Sequence, residues 1–140
     1  MSSESVPARA VLISVFCTDH LALADFYARA FGFTEIEEIR SPIFTALDAG
    51  PIVLGFHADE AFDLLGIPER RALSGNSFHI TFDIGTHADV DASVEHLLAA
   101  GATLIQGPFT TYYDARQLVL LDPEDNVLRV SSSQTAVSDK

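Results

Sequence analysis

The sequence predicts an α+β fold made of two tandem βαβββ modules, and three observations carry that reading. Hydrophobic residues alternate at the strand period in two places, first Val11, Ile13, Val15 and Cys17, then Phe78, Ile80, Phe82 and Ile84, as expected of half-buried strands. Each alternating run leads into an apolar stripe at three-and-four spacing, which is the helical period. After each stripe comes a glycine, Gly32 or Gly101, and then three further strand-like runs. The 140 residues are therefore expected to form a single domain, with one module over 9–57, a second over 77–132 and a connector over 58–76.

In the first module a helix is expected after Thr18 and Asp19, burying Leu23, Phe26, Tyr27, Ala30 and Phe31. Gly32 follows the stripe where a left-handed residue ends a helix at low cost. Strands are expected at 34–39, 43–47 and 52–57, with Asp48, Ala49, Gly50 and Pro51 forming a turn. The connector contains Ala61, Phe62, Asp63, Leu64, Leu65 and Gly66, which reads as a short helix or the edge of a lid. In the second module Thr86 and Asp89 resemble a capping box with an acid in place of the usual Glu or Gln. Val90, Val94, Leu97 and Leu98 supply the helical stripe, and strands are expected at 103–106, 116–121 and 127–131, the last two joined by a turn from Asp122 to Asn126. The segments 1–8 and 134–140 are polar and aperiodic, so both ends should be loose.

Composition narrows the function. A chain of this length buries roughly 68% of the surface its unfolded form exposes, enough for a core without staples. The single cysteine, Cys17, has no internal disulfide partner, and the start of the chain lacks the pattern of a secretion signal. No apolar run approaches a membrane span. These features point to a cytoplasmic protein that does not engage membranes. Net charge of −12 opposes binding to nucleic acid, whose affinity rests on Lys and Arg releasing counterions. The same acidity would attract a cationic small molecule, although it also serves plain solubility.

Phe26 and Tyr27 followed by Phe31, Gly32 and Phe33, then Ala99, Ala100 and Gly101, then Gly107, Pro108 and Phe109, and finally Asp122 and Pro123 with Asn126 occur in an order that resembles the vicinal oxygen chelate superfamily. That superfamily includes glyoxalase I, extradiol dioxygenases and the bleomycin-resistance proteins, and the resemblance covers residues 8–132. It implies a cupped mixed sheet with helices on its outer face, and a homodimer. In metal-dependent relatives, four ligands come from the first and last strand of each module. Carried over, those positions hold Leu12, Gly55, His79 and Arg129 here. Only His79 is a ligand-type residue, and an arginine adds a fixed positive charge that repels a metal ion. The expectation is a site without metal or other cofactor. A rival arrangement recruits His57, two residues beyond Gly55, with His79 and Asp83, a reasonable set of nitrogen and carboxylate donors for zinc, iron or manganese.

Strand alternation assigns the faces. If Val15 and Cys17 pack beneath the helix, Leu12, Ser14 and Phe16 point away from it. By the same rule His79, Thr81 and Asp83, then Val53, Gly55 and His57, then Val127, Arg129 and Ser131 share the open face. His79 and Arg129 would then form a neutral-to-cationic spot suited to a carboxylate, phosphate or carbonyl group. The bland account pairs Arg129 with Asp83 or Asp114. Tyr112, Tyr113, Asp114 and Arg116 lie before or at the seventh strand. There rings can stack on a planar ligand and a carboxylate can meet an amine; the alternative is a solvated loop at a dimer seam. Phe16, Phe44 and Phe109 fit cavity wall or core, and Phe56 is core. Cys17 with His20 suggests a thiol nucleophile only weakly, because Cys17 faces the helix. Glu35, Glu37 and Glu38 read as a solvated strand edge.

The ligand-binding candidates are thus His57, His79, Asp83, Tyr112, Tyr113, Asp114, Arg116 and Arg129. The function expected is a metal-free small-molecule binding protein of the bleomycin-resistance type that sequesters a ligand, such as an antibiotic, without converting it. The alternatives are a metal-dependent lyase, isomerase, epimerase or dioxygenase of the glyoxalase type with unusual ligands, and a non-catalytic module whose dimer surface is its function.

Overall fold

The computed structural model describes residues 5, 7, 9–61, 65 and 79–132. The chain divides into two compact units, Met1–Pro68 and Glu69–Lys140, each containing one βαβββ arrangement. Residues 62–64 and 66, on which the expected short helix or lid edge rests, lie outside the described residues, as do Ser77 and Phe78 and most of both termini.

In the first unit β1 (Leu12–Cys17) leads into α1 (His20–Phe31). The Asp19 carboxylate accepts from the Ala22 backbone N–H at 3.0 Å, satisfying one of the donors that a helix start leaves unpaired. Gly32 closes the helix at φ 75°, its N–H donating to the Ala28 carbonyl. Strands β2 (Thr34–Glu35), β3 (Phe44–Asp48) and β4 (Val53–Ala58) follow. The sheet order is β1-β4-β3-β2, with β1 parallel to β4 and the other pairs antiparallel. Val15, Cys17, Leu54 and Phe56 from the sheet meet Leu23, Phe26, Tyr27 and Ala30 of α1 in the core. The rings of Tyr27 and Phe56 stack with centroids 5.5 Å apart. Full burial of a side chain such as Phe56 contributes about 1.5–3 kcal/mol.

The strand expected over 34–39 is shorter than the sequence suggests. Ile36 still donates to Ala46 at 2.9 Å, but Glu37–Ile39 coil into one 3₁₀ turn and Arg40 folds back onto both carboxylate oxygens of Glu35, at 2.7 and 2.6 Å. A run of acids at a sheet edge keeps its charges in water by leaving the ladder.

In the second unit β5 (Ile80–Asp83) precedes α2 (His87–Ala92) and α3 (Val94–Ala100), then β6 (Thr103–Thr110), β7 (Arg116–Leu121) and β8 (Val127–Ser132). The order β5-β8-β7-β6, with β5 parallel to β8, repeats that of the first unit. The capping box is complete: Thr86 Oγ1 accepts from the Asp89 N–H and the Asp89 carboxylate accepts from the Thr86 N–H. Where one helix was expected there are two, because Ser93 interrupts the stripe. Its hydroxyl donates to the Val90 carbonyl at 2.8 Å and its N–H takes the same acceptor, which tightens the chain out of α-helical register. The helix carrying Val90 still packs on β7 and β8, and Val90, Leu97, Leu118, Leu120, Leu128 and Val130 are all fully or nearly fully buried.

Strand β6 runs four residues past its expected end. Register shifts between Leu104 and Gln106 and between Gln106 and Phe109 break the two-residue alternation that would reveal it in sequence. Gly107 sits at φ 106°, and a Cβ there would stand 2.6 Å from the Gln117 carbonyl oxygen, so the crossing of β6 over β7 requires glycine. The turn after β7 is organised by Asp122, whose buried carboxylate accepts from the backbone of Glu124 and Asn126 and from the Asn126 amide.

Candidate functional site

Sheet alternation gives each unit a face turned away from its helices. On that face equivalent pairs recur: Ser14 stands opposite Gly55 in the first unit and Thr81 opposite Arg129 in the second. Leu12 and His79, each two residues earlier, therefore occupy matching places.

In the first unit the face is aromatic. A Cβ on Gly55 would approach Phe44 Cε1 to 2.7 Å and Leu12 Cδ1 to 3.3 Å, so any side chain at position 55 would require the Phe44 ring to move. His57 lies between Phe44 and Phe16, with ring centroids 4.4 and 5.7 Å away. Its Nδ1 is hydrogen bonded to the Ser14 hydroxyl. Burial, and secondarily the proximity of His20, hold the His57 pKa below 6.5, so the imidazole is uncharged at neutral pH. His20 is itself buried, with Nε2 donating to the Pro42 carbonyl at 2.8 Å and Nδ1 bonded to the Thr45 hydroxyl at 2.7 Å. It pins the approach to β3 against α1. Cys17 is fully buried and its thiol donates to the His57 carbonyl, a setting for an inert thiol.

In the second unit the face is polar. Arg129 Nε donates to Thr81 Oγ1 at 3.0 Å and its Nη1 to Gln117 Oε1 at 3.5 Å. Thr81 also meets His79 Nδ1 at 3.5 Å, and the Tyr113 hydroxyl donates to Gln117 at 3.5 Å. His79, Arg129 and Tyr113 are thus linked through two residues that the sequence reading did not single out as binding groups. Gln117 is 5% exposed, and its signal was present: a lone amide in an apolar strand, on the alternation opposite to Leu118 and Leu120. Among the described residues no carboxylate forms an ion pair with Arg129, and its Nη2 makes no hydrogen bond. The pairing with Asp83 or Asp114 that would have made Arg129 purely structural does not occur.

The remaining candidates do not gather there. Arg116 shares the alternation of Leu118 and Leu120, on the helix side of β7, and its guanidinium is held by both oxygens of Asp91, at 2.8 and 3.3 Å, and by Thr110. Tyr112 is fully exposed and packs edge-on against Tyr113 at the tip of the β6–β7 turn. Asp114 shapes that turn at φ 68°. Asp83 is exposed on the Thr81 face of β5, and His57 belongs to the first unit. A cleft of about 160 Å³ lies elsewhere in the first unit, between α1 and strands β2 and β3 and bordered by Leu21, Asp25, Glu35 and Arg40. It is on the helix side of the sheet and touches none of the candidates.

The donor set does not fit a metal at the positions implied by the resemblance. Leu12 and Gly55 offer no side-chain donor atom, and Arg129 is a cation. Among the described residues no three His, Cys, Asp or Glu side chains gather in a metal-binding group. No described helix is long and apolar enough to cross a membrane.

A family model described as the glyoxalase/bleomycin resistance protein/dioxygenase superfamily matches residues 9–130. Among solved structures, the chain is similar to a glyoxalase/bleomycin resistance protein/dioxygenase family enzyme from Burkholderia phytofirmans PsJN, with 45% identity and a TM-score of 0.86 over 90% of this chain and 99% of that one. Lactoylglutathione lyase from Agrobacterium tumefaciens has 17% identity and a TM-score of 0.70, covering 91% and 96%. TioX from Micromonospora sp. ML1 has 20% identity and a TM-score of 0.64, covering 90% and 99%. The last two likenesses concern the fold alone. No curated protein sequence matches.

Proposed function

The chain belongs to the glyoxalase/bleomycin resistance protein/dioxygenase superfamily, and from that premise we propose that it is a metal-free small-molecule binding protein that sequesters its ligand. One observation carries this reading: at a position where metal-dependent relatives are expected to supply a ligand, Arg129 is held by Thr81 and Gln117 with one edge of its guanidinium free of any carboxylate. A guanidinium oriented in this way matches the paired oxygens of a carboxylate or phosphate, or a single carbonyl. His79 and Tyr113 supply further hydrogen-bonding groups on the same chain of contacts. The proposal takes the protein as a cytoplasmic homodimer whose partner is a small molecule, with an antibiotic as one class of cargo.

The second reading is a metal-dependent lyase, isomerase or dioxygenase of the glyoxalase type with noncanonical ligands. It draws on the naming of the 45% identical Burkholderia protein as an enzyme.

Thermal unfolding separates the two. A ligand bound only by the native state adds RT ln(1 + [L]/Kd) to stability. We expect carboxylate or phosphate compounds to raise Tm, and EDTA to leave Tm and ligand response unchanged. A drop in Tm with EDTA that zinc, iron or manganese restores would reject the metal-free reading.

A further inference from the structure

The open face of the first unit carries a polar feature that anion binding leaves unused. The Ser14 hydroxyl and His57 Nδ1 are hydrogen bonded to each other, and neither side chain makes another hydrogen bond among the described residues. Both are half-buried, as are Phe16 and Phe44 on either side, whose rings tilt toward the imidazole by 31° and 40°. Gly55, which pairs with Ser14 across the strands, contributes no side chain and leaves the Phe44 ring lying over its backbone.

This pair is uncharged yet offers both polarities. If the serine donates to Nδ1, the Nε2–H remains as a donor and the serine oxygen as an acceptor. If Nδ1–H donates to the serine, the hydroxyl remains as a donor and Nε2 as an acceptor. A bound group therefore finds one donor and one acceptor whichever way the proton lies. The flanking phenyl rings favour a flat partner in an offset or edge-on arrangement, and they disfavour an unpaired charge, since desolvating it without a counter-ion is costly.

Resting on the reading that this protein captures a small molecule, we infer that the Ser14–His57 pair with Phe16 and Phe44 forms a subsite for the neutral aromatic part of a ligand, a planar ring carrying a carbonyl, amide or hydroxyl group.

The test uses the full chain with ¹⁵N-labelled histidine and two probes of the same shape, acetophenone, which has a carbonyl acceptor, and α-methylstyrene, which has a methylene in its place. Acetophenone should shift the His57 ring nitrogens in NMR and bind about tenfold more tightly, the factor that corresponds to one hydrogen bond of about 1.4 kcal/mol. Ser14→Ala should bring the two affinities together. Equal affinities in the wild-type protein, or His57 nitrogens that do not respond to acetophenone, overturn the inference, and both are read without any variant. Benzoate with Arg129→Gln provides the separate check on anion binding. Benzoate affinity lost in that variant, with acetophenone failing as above, removes this subsite alone. Acetophenone succeeding while benzoate never binds removes the anion reading alone.

Discussion

At the scale of single residues, the second unit turns on how Arg129 is held. Replacing Arg129 with Gln keeps the hydrogen-bonding capacity toward Thr81 but removes the charge. We expect anion affinity, measured by calorimetry with benzoate or phosphate, to fall by about ten- to a hundredfold, the range for a hydrogen bond to a charged group. Gln117 positions rather than binds: Gln117→Leu removes the acceptor shared by Arg129 and Tyr113. It should weaken anion binding by about three- to tenfold, with a fold otherwise as stable as wild type. His57 gives a pH signature. Its folded pKa lies below the ordinary 6.5, so the unfolded chain takes up the proton more readily. The stability this represents is present above 6.5 and is lost as pH falls through the folded value. Melting curves over that range should be shallower in pH for His57→Gln than for wild type; identical profiles would show that the ring does not titrate as described.

At the scale of elements, the second unit's helical layer depends on a capping box and its long strand on a glycine. Thr86→Ala should cost about 1 kcal/mol in denaturant unfolding. Gly107→Ala should cost about 1–3 kcal/mol, because it adds both a strained φ and a close approach to the Gln117 carbonyl. These two elements also show what sequence could and could not reveal. The Thr86 and Asp89 spacing was legible because a capping box is local, and so were β7 and the faces of β8, where burial alternates without interruption. The far end of β6 was not, since two register shifts erase the period. The split at Ser93 was hidden because Val90, Val94 and Leu97 keep helical spacing across it, while the break comes from a serine turning its hydroxyl on its own backbone. The site was legible in the same partial way. Alternation placed His79, Thr81 and Arg129 on one face, whereas Arg116 was counted for its place at the opening of the seventh strand, because a strand-terminal arginine gives no sign in sequence that Asp91, on a helix 25 residues earlier, will hold it.

At the scale of the whole molecule, the duplicated strand order has been put to two chemical uses. One unit presents rings around an uncharged imidazole, and the other a guanidinium within a chain of polar groups. A net charge of −12 surrounds Arg129 with a repulsive field for anions, so raising ionic strength should strengthen benzoate binding slightly rather than weaken it, as screening lowers that repulsion. The lone sulfhydryl also provides a clock. The chain has no tryptophan and one cysteine, and Cys17 is sealed at 0% exposure with its hydrogen directed at the His57 carbonyl. A maleimide or disulfide reagent can reach it only when β1 parts from its surroundings. The labelling rate in native buffer therefore times excursions of this one strand, and an occupant seated over His57 should slow the clock in proportion to its occupancy.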